Sequence, residues 1–334
     1  MKVISYAALK EKSQLERYEY DKPELKDNEV EVKITHCGIC HSDIHLIDND
    51  WGISKYPLIP GHEIIGIVEN TGKNVKHLKK GMRVGIGWQA DSCGYCEYCL
   101  SGQEQLCSRN QPTCIGRPGG FAHAIIVNSK FAIPLPDELE SENAAPLLCA
   151  GITVYNPLRI YGVKPYMKVG VIGIGGLGHL ALQFANAFGC EVTAFSSSKD
   201  KEEEAKKLGA HNFISLIDIS EKELNRYKNY FDFLLSTVFV DLDWKLFVSL
   251  LKPNGRLNFV GAGGNINIPI PMLLNNKIIS GSAIGSPGMI KEMFEFAARH
   301  QIKAKTELFP LEKVNEAIYK VKENRVRYRA VLKM

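Results

Sequence analysis

The sequence predicts an α/β protein in which a β-rich first part is followed by a doubly wound parallel sheet. Three observations lead to this fold class. Up to about residue 140 the chain consists of short apolar or alternating runs between glycines, as strands do. From Ser141 the hydrophobic period becomes helical, and beyond Lys168 short apolar strands alternate with helices. A glycine-rich turn joins the first of these strands to the helix that follows it.

The first part is predicted to be a barrel-like β domain that carries metal-binding loops. Residues Val30 to Thr35 alternate as a half-buried strand does. The other strands predicted here are Ile64 to Glu69, Met82 to Ile86, Gly119 to Val127 and Phe131 to Pro136. No long helical pattern is present before Ser141.

The second part is predicted to alternate strands and helices. Asn143 to Ile160 has a helical period that Pro157 interrupts. The strands predicted after it are Lys168 to Gly173, Glu191 to Phe195, Phe231 to Ser236, Arg256 to Gly261, Lys277 to Gly281 and Tyr328 to Lys333. The helices predicted are His179 to Phe188, Lys201 to Leu208, Met289 to Arg299 and Leu311 to Lys322.

Composition excludes several classes of protein. The 334 residues suit two domains of ordinary size. The net charge of +4 is dispersed, so nucleic-acid binding has no electrostatic footprint. The N-terminus lacks the pattern of a signal peptide, and no run of 18 apolar residues exists. We therefore expect a cytoplasmic protein with neither a membrane nor a nucleic-acid partner.

Four of the nine cysteines predict a structural zinc site. Cys93, Cys96, Cys99 and Cys107 have the spacing C-x2-C-x2-C-x7-C, which lets one loop surround a tetrahedral ion with four thiolates. A chain without a secretory signal favours metal over disulfides for such a cluster. Four thiolates leave no coordination position open, so this site has no catalytic role.

A second, open zinc site is predicted around Cys40. The run from Gly38 to His45 contains a thiolate and imidazoles, the usual zinc ligands, and Cys40 needs partners from elsewhere in the chain. His62 and Cys149 are the candidates. Either residue alone is more often a packing residue than a ligand. As a set with Cys40 they leave one tetrahedral position open, which is the arrangement of a catalytic zinc.

The run Gly173 to Gly178 predicts a dinucleotide site. It reads G-x-G-x-x-G, directly follows a predicted strand and opens a helix. Sites that bind NAD carry an acid about 20 residues later, at the end of the second strand, yet residues 195–199 read Phe-Ser-Ser-Ser-Lys. Ser196, Ser197, Lys199 and Lys201 are instead available to a 2′-phosphate, which predicts NADP(H). The alternative is that these residues only cap and solvate the next helix.

Together these motifs resemble the zinc-dependent medium-chain alcohol dehydrogenases, in their cinnamyl alcohol dehydrogenase-like branch. The resemblance rests on Gly38 to His45, Pro60 to Glu63, the four-cysteine loop, Leu147 to Tyr155 and Gly173 to Gly178, and it covers nearly the whole chain. It implies a GroES-like catalytic domain (1–150), a Rossmann NADP-binding domain (151–286) and a C-terminal segment (287–334) that returns to the catalytic domain.

The resemblance also implies roles for individual residues. It assigns the catalytic zinc to Cys40, His62 and Cys149, with Glu63 beside the metal as an alternate ligand. It assigns a proton relay to Ser42 and His45, which passes through the cofactor ribose, and it has Asp43 orient the ligand histidine. The pocket residues it implies are Trp51 and Trp88. The cofactor residues it implies are Thr153, Gly173, Gly175, Gly176, Leu177, Gly178, Ser196, Ser197, Lys199, Lys201, Thr237, Gly261, Ser282 and Ile284.

The implied function is a zinc-dependent NADP(H) alcohol dehydrogenase or aldehyde reductase with two zinc ions per chain. Pro112 and Ala283 replace larger pocket residues of the lignin-pathway enzymes, so we expect a broad range of aromatic and aliphatic alcohols and aldehydes. The family suggests a homodimer. Two alternatives remain: a polyol or amino-alcohol dehydrogenase of the same superfamily, against which Cys149 argues, and a zinc-stabilised nucleotide-binding regulator without turnover.

Overall fold

A computed structural model describes residues 2–217, 224–261 and 263–334. Contacts divide the chain into two compact units. The first unit comprises Met1–Ile152 and Ile284–Met334, and the second comprises Thr153–Ala283. No helix of the described residues has the length and apolar character needed to cross a bilayer.

The first unit is built on a mixed β-sheet. Its strands are β1 (Lys2–Ala8), β2 (Leu15–Asp21), β3 (Glu29–Ile39), β4 (Glu63–Thr71), β5 (Arg83–Ile86), β6 (Gln89–Asp91), β7 (Gln111–Pro112), β8 (Ala124–Asn128), β9 (Ile133–Pro134), β16 (Thr306–Pro310) and β17 (Arg329–Lys333). The main sheet has the order β16-β17-β3-β4-β5-β9, and β8 also pairs with β3. The C-terminal strand β17 is antiparallel to β3, with Ala330 opposite Ile39. Residues from the two ends of the sequence therefore share one core.

Short helices complete the first unit. Among the described residues they are α1 (His41–Asp48), α2 (Glu97–Leu100), α3 (Ser141–Ala144), α4 (Ala150–Ile160), α8 (Pro287–His300) and α9 (Val314–Lys322). Helix α4 starts in this unit and continues into the second one. Helix α8 begins at Ser286, whose hydroxyl accepts a hydrogen bond from the Met289 backbone N–H, a standard N-cap.

The second unit contains the predicted parallel sheet. Its strands are β10 (Lys168–Ile172), β11 (Glu191–Ser196), β12 (Asn212–Ser215), β13 (Phe231–Ser236), β14 (Leu251–Phe259) and β15 (Ile278–Gly281). The order is β12-β11-β10-β13-β14-β15, and every neighbouring pair is parallel. The helices described here include α5 (Gly178–Ala187), α6 (Glu202–Lys207) and α7 (Trp244–Leu250). The predicted α/β fold class is confirmed.

Strands β1, β2, β12 and β16 were not predicted from the sequence, and two helical features also differ from the prediction. Helix α1 lies in the part of the chain where no long helical pattern was found, because its eight residues are too few and too polar for a clear period. Pro157 does not interrupt the predicted helix: α4 passes through it, and the break falls at Cys149, after a 3-10 helix from Ala145–Leu148. A proline removes one helical hydrogen bond, and complete burial of neighbours such as Leu158 offsets that loss.

Candidate active site

Helix α1 brings several predicted site residues onto one short element. Its N-terminus is fixed by the Asp43 carboxylate, whose Oδ2 accepts a hydrogen bond of 2.9 Å from the Cys40 backbone N–H. The helix ends at Asn49, which adopts φ 54°, a conformation that asparagine tolerates well. Ser42 and His45 are three residues apart and so lie on the same face, while Asp43 is fully buried.

Four predicted ligands meet beside this helix. Donor atoms of Cys40, His62, Glu63 and Cys149 all lie within 4.8 Å of one another. The sulfurs of Cys40 and Cys149 are 3.8 Å apart, although 109 residues separate them in the chain. Zn–S bonds of about 2.3 Å in a tetrahedron place two sulfurs about 3.8 Å apart. The donor set therefore fits a zinc ion.

The orientation of His62 also fits a metal ligand. Its Nδ1 is 2.9 Å from Asp43 Oδ1, and the same oxygen accepts a hydrogen bond from the Gly61 N–H. Its Nε2 is buried and has no hydrogen-bond partner among the described residues. A buried ring nitrogen without a partner is costly unless it binds a metal. The carboxylate on Nδ1 leaves the Nε2 lone pair for that metal.

The charges of the site are consistent with this assignment. The hydrogen bond between the two sulfurs holds the pKa of Cys40 well below its usual range and raises that of Cys149. Burial lowers the pKa of His62, but the charges of Asp43 and Cys149, together with hydrogen bonds to Asp43 and Cys114, raise this pKa well above its usual range. Metal binding displaces protons from such groups, since the ligands are thiolates and neutral imidazole.

Glu63 is held next to these ligands by an arginine. Burial raises the pKa of Glu63 to about 7, against the opposing charge of Arg329. The Arg329 guanidinium donates a hydrogen bond to Oε1, while Oε2 has no hydrogen-bond partner among the described residues. A Cβ at Gly38 would lie 1.9 Å from Oε2, so only glycine leaves room for this carboxylate. Glu63 is thus positioned as the alternate ligand that the resemblance implied.

The predicted relay residues have defined partners. The Ser42 hydroxyl is 3.7 Å from the Cys40 sulfur. His45 is half-buried, and its Nδ1 is 2.7 Å from Asp50 Oδ2. Helix α1 ends between His45 and Asp50, and the left-handed turn at Asn49 brings the Asp50 carboxylate back to the imidazole.

The predicted pocket residues form an aromatic chain. The Trp88 indole meets the His62 ring edge-on at 4.9 Å between centroids, and Trp51 meets Trp88 edge-on at 6.3 Å. Trp51 also packs on the ring of His45 at 5.3 Å. Two indoles therefore connect a predicted metal ligand with the predicted relay histidine.

The four-cysteine loop forms a separate donor cluster. Donor atoms of Cys93, Cys96, Cys99 and Cys107 lie within 4.8 Å of one another, and the sulfurs of Cys93 and Cys99 are 3.8 Å apart. Four sulfurs at this spacing fit a closed tetrahedral zinc site. Glu104 anchors the loop to the domain, because its buried carboxylate pairs with Lys130 at 2.5 Å.

The glycine-rich loop fits a dinucleotide, because three of its glycines provide a tight turn, close packing of the helix and open backbone for a ligand. Gly173 has φ +89°, which a tight turn after β10 requires. A Cβ at Gly178 would lie 1.9 Å from the Gly173 carbonyl oxygen, so α5 packs closely on the turn. A Cβ at Gly175 would meet no described atom within 4 Å, so the backbone there is open to a ligand. These are the three uses of glycine in a pyrophosphate-binding turn.

Most of the predicted cofactor residues follow the carboxyl ends of the parallel strands, where ligands of such sheets bind. They are the loop residues Gly173, Gly175, Gly176, Leu177 and Gly178 after β10, Ser196 and Ser197 at the end of β11, Thr237 after β13, Gly261 after β14 and Ser282 after β15. Lys199 and Lys201 form a 3-10 turn between β11 and α6. Thr153 lies in α4, and Ile284 belongs to the first unit.

Three residues near the predicted site were not assigned from the sequence. Asp50 and Arg329 are revealed only by their contacts with His45 and Glu63. The Cys114 thiol lies within 4.8 Å of the paired side-chain atoms of Asp43 and His62. No spacing rule connects these residues to their partners, so a sequence signal was absent.

Known proteins are similar to this chain over nearly its whole length, and they belong to the family that the motifs predicted. Residues 26–137 match the alcohol dehydrogenase GroES-like domain family, and residues 176–299 match the zinc-binding dehydrogenase family. The chain is 43% identical over 333 residues to the aldehyde reductase AdhA of Synechocystis sp., covering 99% of this chain and 98% of that protein.

Two solved structures are also similar. A cinnamyl alcohol dehydrogenase from Sorghum bicolor aligns with a TM-score of 0.95 and 36% identity, over 100% of this chain and 98% of that one. A cinnamyl alcohol dehydrogenase from Helicobacter pylori, complexed with NADP(H), aligns with a TM-score of 0.91 and 31% identity over the same shares. The chain therefore belongs to the zinc-binding medium-chain alcohol dehydrogenase family, in its cinnamyl alcohol dehydrogenase-like branch.

Proposed function

We propose that this enzyme uses NADP(H) to interconvert primary alcohols and aldehydes over a broad aromatic and aliphatic range. The observation that carries the proposal is the donor set of Cys40, His62 and Cys149, with the Ser42 hydroxyl beside it and a His62 Nε2 that has no hydrogen-bond partner among the described residues. Three protein ligands leave a coordination position for substrate, which a structural site does not.

The side chains of the first unit have separate tasks in this reaction. Zinc, when bound, supplies a Lewis acid that stabilises negative charge on the substrate oxygen. Cys40, His62 and Cys149 hold the metal, and Asp43 fixes the imidazole of His62 through its Nδ1–H. Glu63 is an alternate ligand, and Arg329 keeps its carboxylate in place.

The proton follows side chains of α1. In alcohol oxidation the Ser42 hydroxyl accepts the proton of the substrate hydroxyl as it releases its own proton toward His45, and His45 transfers a proton to solvent. His45 is half-buried and therefore in reach of water, and Asp50 orients its imidazole through Nδ1. In aldehyde reduction the same groups deliver the proton, and NADPH, when bound, would supply the hydride to the carbonyl carbon.

The choice of NADP(H) is supported by the end of β11. Residues 195–199 contain no acid, so no carboxylate would repel a 2′-phosphate there. Glu191 is at the other end of the strand, where Asn212 and Tyr230 donate hydrogen bonds to it. Ser197 and Lys199 are exposed beyond the end of the strand, where a hydroxyl and a positive charge would favour a phosphate. The NADP(H) in the Helicobacter relative is consistent with this assignment.

The substrate range is supported by the two indoles. Trp51 and Trp88 offer aromatic faces between the metal ligands and the relay histidine, and such faces accept both aromatic and aliphatic groups. The cyanobacterial relative is an aldehyde reductase, which agrees with carbonyl reduction.

A cofactor-linked assay tests the proposal. Aliphatic, benzylic and cinnamyl aldehydes are each supplied with NADPH and with NADH, and kcat/KM is compared. We expect turnover of all three classes and a higher kcat/KM with NADPH. An equal or better value with NADH would contradict the cofactor assignment. Absence of turnover in zinc-loaded protein would instead favour a nucleotide-binding regulator.

A further inference from the structure

The first unit contains a cavity of about 210 Å³ that the proposed reaction does not use. Its walls come from β1, the end of β2, the segment that leads from β2 to β3, residues 111–118 and strand β8. All of its lining residues belong to the first unit. The predicted zinc ligands, the relay residues and the two pocket tryptophans are not among them.

Arg117 lines this cavity with a half-buried guanidinium that forms no ion pair among the described residues. One of its Nη2–H groups donates a hydrogen bond to the Ile126 carbonyl oxygen, while Nε is buried without a hydrogen-bond partner among the described residues. Burial lowers the pKa of Arg117, although the charges of Glu29 and Asp91 oppose this effect. A positive charge withdrawn from water without a paired anion is unfavourable, so this wall of the cavity favours a bound anion.

The other charged groups of the cavity restrict the charge of that anion. Lys22 Nζ is 2.6 Å from Glu31 Oε1, so its charge is already paired, whereas the exposed Lys26 forms no ion pair among the described residues. The carboxylates of Glu24 and Glu29 also line the cavity, and Glu29 Oε2 accepts a hydrogen bond of 3.0 Å from the Lys26 backbone N–H. Two carboxylates repel a second negative charge, so the lining favours a monoanion over a dianion.

The remaining walls are largely apolar and include Val3 and Pro118. Two carbonyl oxygens of β8 already accept hydrogen bonds from side chains of the cavity. The Tyr20 hydroxyl donates to the Ala124 oxygen at 3.2 Å, and the Arg117 guanidinium donates to the oxygen of Ile126. Apolar surface beside one guanidinium suits a carboxylate whose body is a ring or a short alkyl chain.

We propose that this cavity binds a small monocarboxylate, with the carboxylate on the Arg117 guanidinium and the apolar body against Val3, Pro118 and Ile126. A guanidinium has five N–H donors, so a bond to a carboxylate is compatible with the bond to the Ile126 carbonyl. The volume is below the roughly 300 to 1,000 Å³ of sites for drug-sized ligands, which limits the ligand to the size of benzoate or a short-chain acid. The inference is independent of the proposed reaction, since it uses no residue of the candidate active site.

Benzoate is the probe, and methyl resonances of the zinc-loaded protein report where it binds. The protein carries labelled isoleucine and valine methyl groups. Shift changes at Val3 and Ile126 are compared with those at Ile44, which lies on α1 with the relay residues. Benzamide is titrated as the uncharged match of benzoate, and sulfate is added as a dianion that competes for a site of low selectivity.

Four variants separate charge, space and metal. Arg117→Gln removes the charge but retains an N–H donor for the Ile126 carbonyl, and Ala124→Leu reduces the cavity while Arg117 remains. Arg17→Gln is the matched control, because Arg17 is an exposed arginine of β2 that is not among the lining residues. Cys149→Ala removes a predicted zinc ligand and so tests whether benzoate binds the metal. Thermal unfolding checks that each variant is folded.

We expect benzoate to shift the Val3 and Ile126 resonances with a Kd on the order of 1 mM, as for a ligand of about ten non-hydrogen atoms. Benzamide, and benzoate with Arg117→Gln, should bind at least about 10-fold more weakly, because a charge-assisted hydrogen bond is lost. Ala124→Leu should also weaken binding of benzoate, whereas Arg17→Gln and Cys149→Ala should leave it unchanged. Sulfate should not displace benzoate.

Several outcomes would overturn the inference and leave the proposed function intact. If only Ile44 shifted, and Cys149→Ala abolished that shift, benzoate would be a ligand of the metal. Unshifted resonances at all three residues would exclude the cavity as a site. Wild-type affinity in folded Arg117→Gln, or equal binding of benzamide, would remove Arg117 from recognition. Displacement of benzoate by sulfate would contradict selectivity for a monocarboxylate.

Discussion

At the residue scale, the Asp43 carboxylate connects the start of α1 with the loop that carries His62. It accepts hydrogen bonds from the backbone N–H groups of Cys40 and Gly61 and from the imidazole of His62. Two predicted zinc ligands are thus oriented by one side chain that is fully buried. A change of this carboxylate should therefore affect the metal before it affects the rest of the fold.

We predict that Asp43→Asn weakens binding of the catalytic zinc about 10- to 100-fold, because an amide nitrogen cannot accept the hydrogen bonds that the lost oxygen accepted. Zinc affinity is measured by competition with a coloured chelator. Asp48→Asn is the control on the same helix, since Asp48 pairs only with Lys322 among the described residues. Wild-type zinc retention in Asp43→Asn would contradict this role.

The relay predicts a second residue-scale effect. His45→Gln should lower turnover on the order of 10²-fold, because no titrating imidazole remains to exchange the proton with solvent. Asp50→Asn should cause a smaller loss, since the imidazole remains and only its orientation is disturbed. Turnover is measured across pH with and without imidazole buffer. A His45→Gln enzyme with an unchanged pH profile and no response to imidazole would remove His45 from the mechanism.

At the element scale, the regular elements were easier to predict than the short ones. Most strands of the parallel sheet and helices such as α5 were predicted within a few residues, because their periods extend over whole elements. The short strand β12 was not predicted, and β14 begins five residues before its predicted start at Arg256. Helix α1 gave no such period, and its start depends on a carboxylate cap at Asp43. The break at Cys149 was not predicted, because Pro157 is the stronger helix-breaking signal in the sequence, although burial of the surrounding helix overrides it.

The residues of the candidate site also divide into those that the sequence predicted and those that it did not. Ligand sets could be predicted, because zinc restricts the residue types and the resemblance supplied the distant members. Asp50 and Arg329 could not, since each acts through a contact made by chain folding alone. The cofactor turn was recognised from its glycines, but the hydrogen bonds to its carbonyls are visible only in three dimensions.

The four-cysteine loop leads to a prediction about stability. Cys99→Ala should lower the thermal unfolding temperature and remove one zinc, because a four-thiolate site orders its own loop. Cys149→Ala should abolish activity while it keeps most of the stability. Unfolding is followed by calorimetry, and zinc is counted in the same samples. If Cys149→Ala proved the less stable of the two, the assigned roles of the sites would be reversed.

At the scale of the whole molecule, the two donor sets predict the metal content. Both sets have all their members inside the first unit, at distances that suit tetrahedral zinc. Metal analysis of purified protein should find two zinc ions per chain, and a chelator should remove the catalytic one first, since its site has an open position. One zinc per chain would refute this assignment.

The exposed edge of the parallel sheet in the second unit leads us to predict a homodimer. Strand β15 is at the edge of the parallel sheet, and exposed apolar side chains such as Ile270 and Leu274 precede it. An apolar sheet edge favours pairing with a second copy. We expect a homodimer by light scattering, weakened by Leu274→Glu but not by Leu100→Glu, a change at an exposed leucine of the first unit. A monomer at all concentrations would contradict the prediction.

Helix α1 has one further consequence, which concerns the path length of the proton. Ser42 and His45 are three positions apart within α1, so about 4.5 Å along the helix axis separates the two relay residues. That length is set by the helical backbone and not by the size of the substrate. The solvent deuterium isotope effect on the proton step should therefore be the same for ethanol and for a bulky benzylic alcohol, even where their hydride-transfer rates differ.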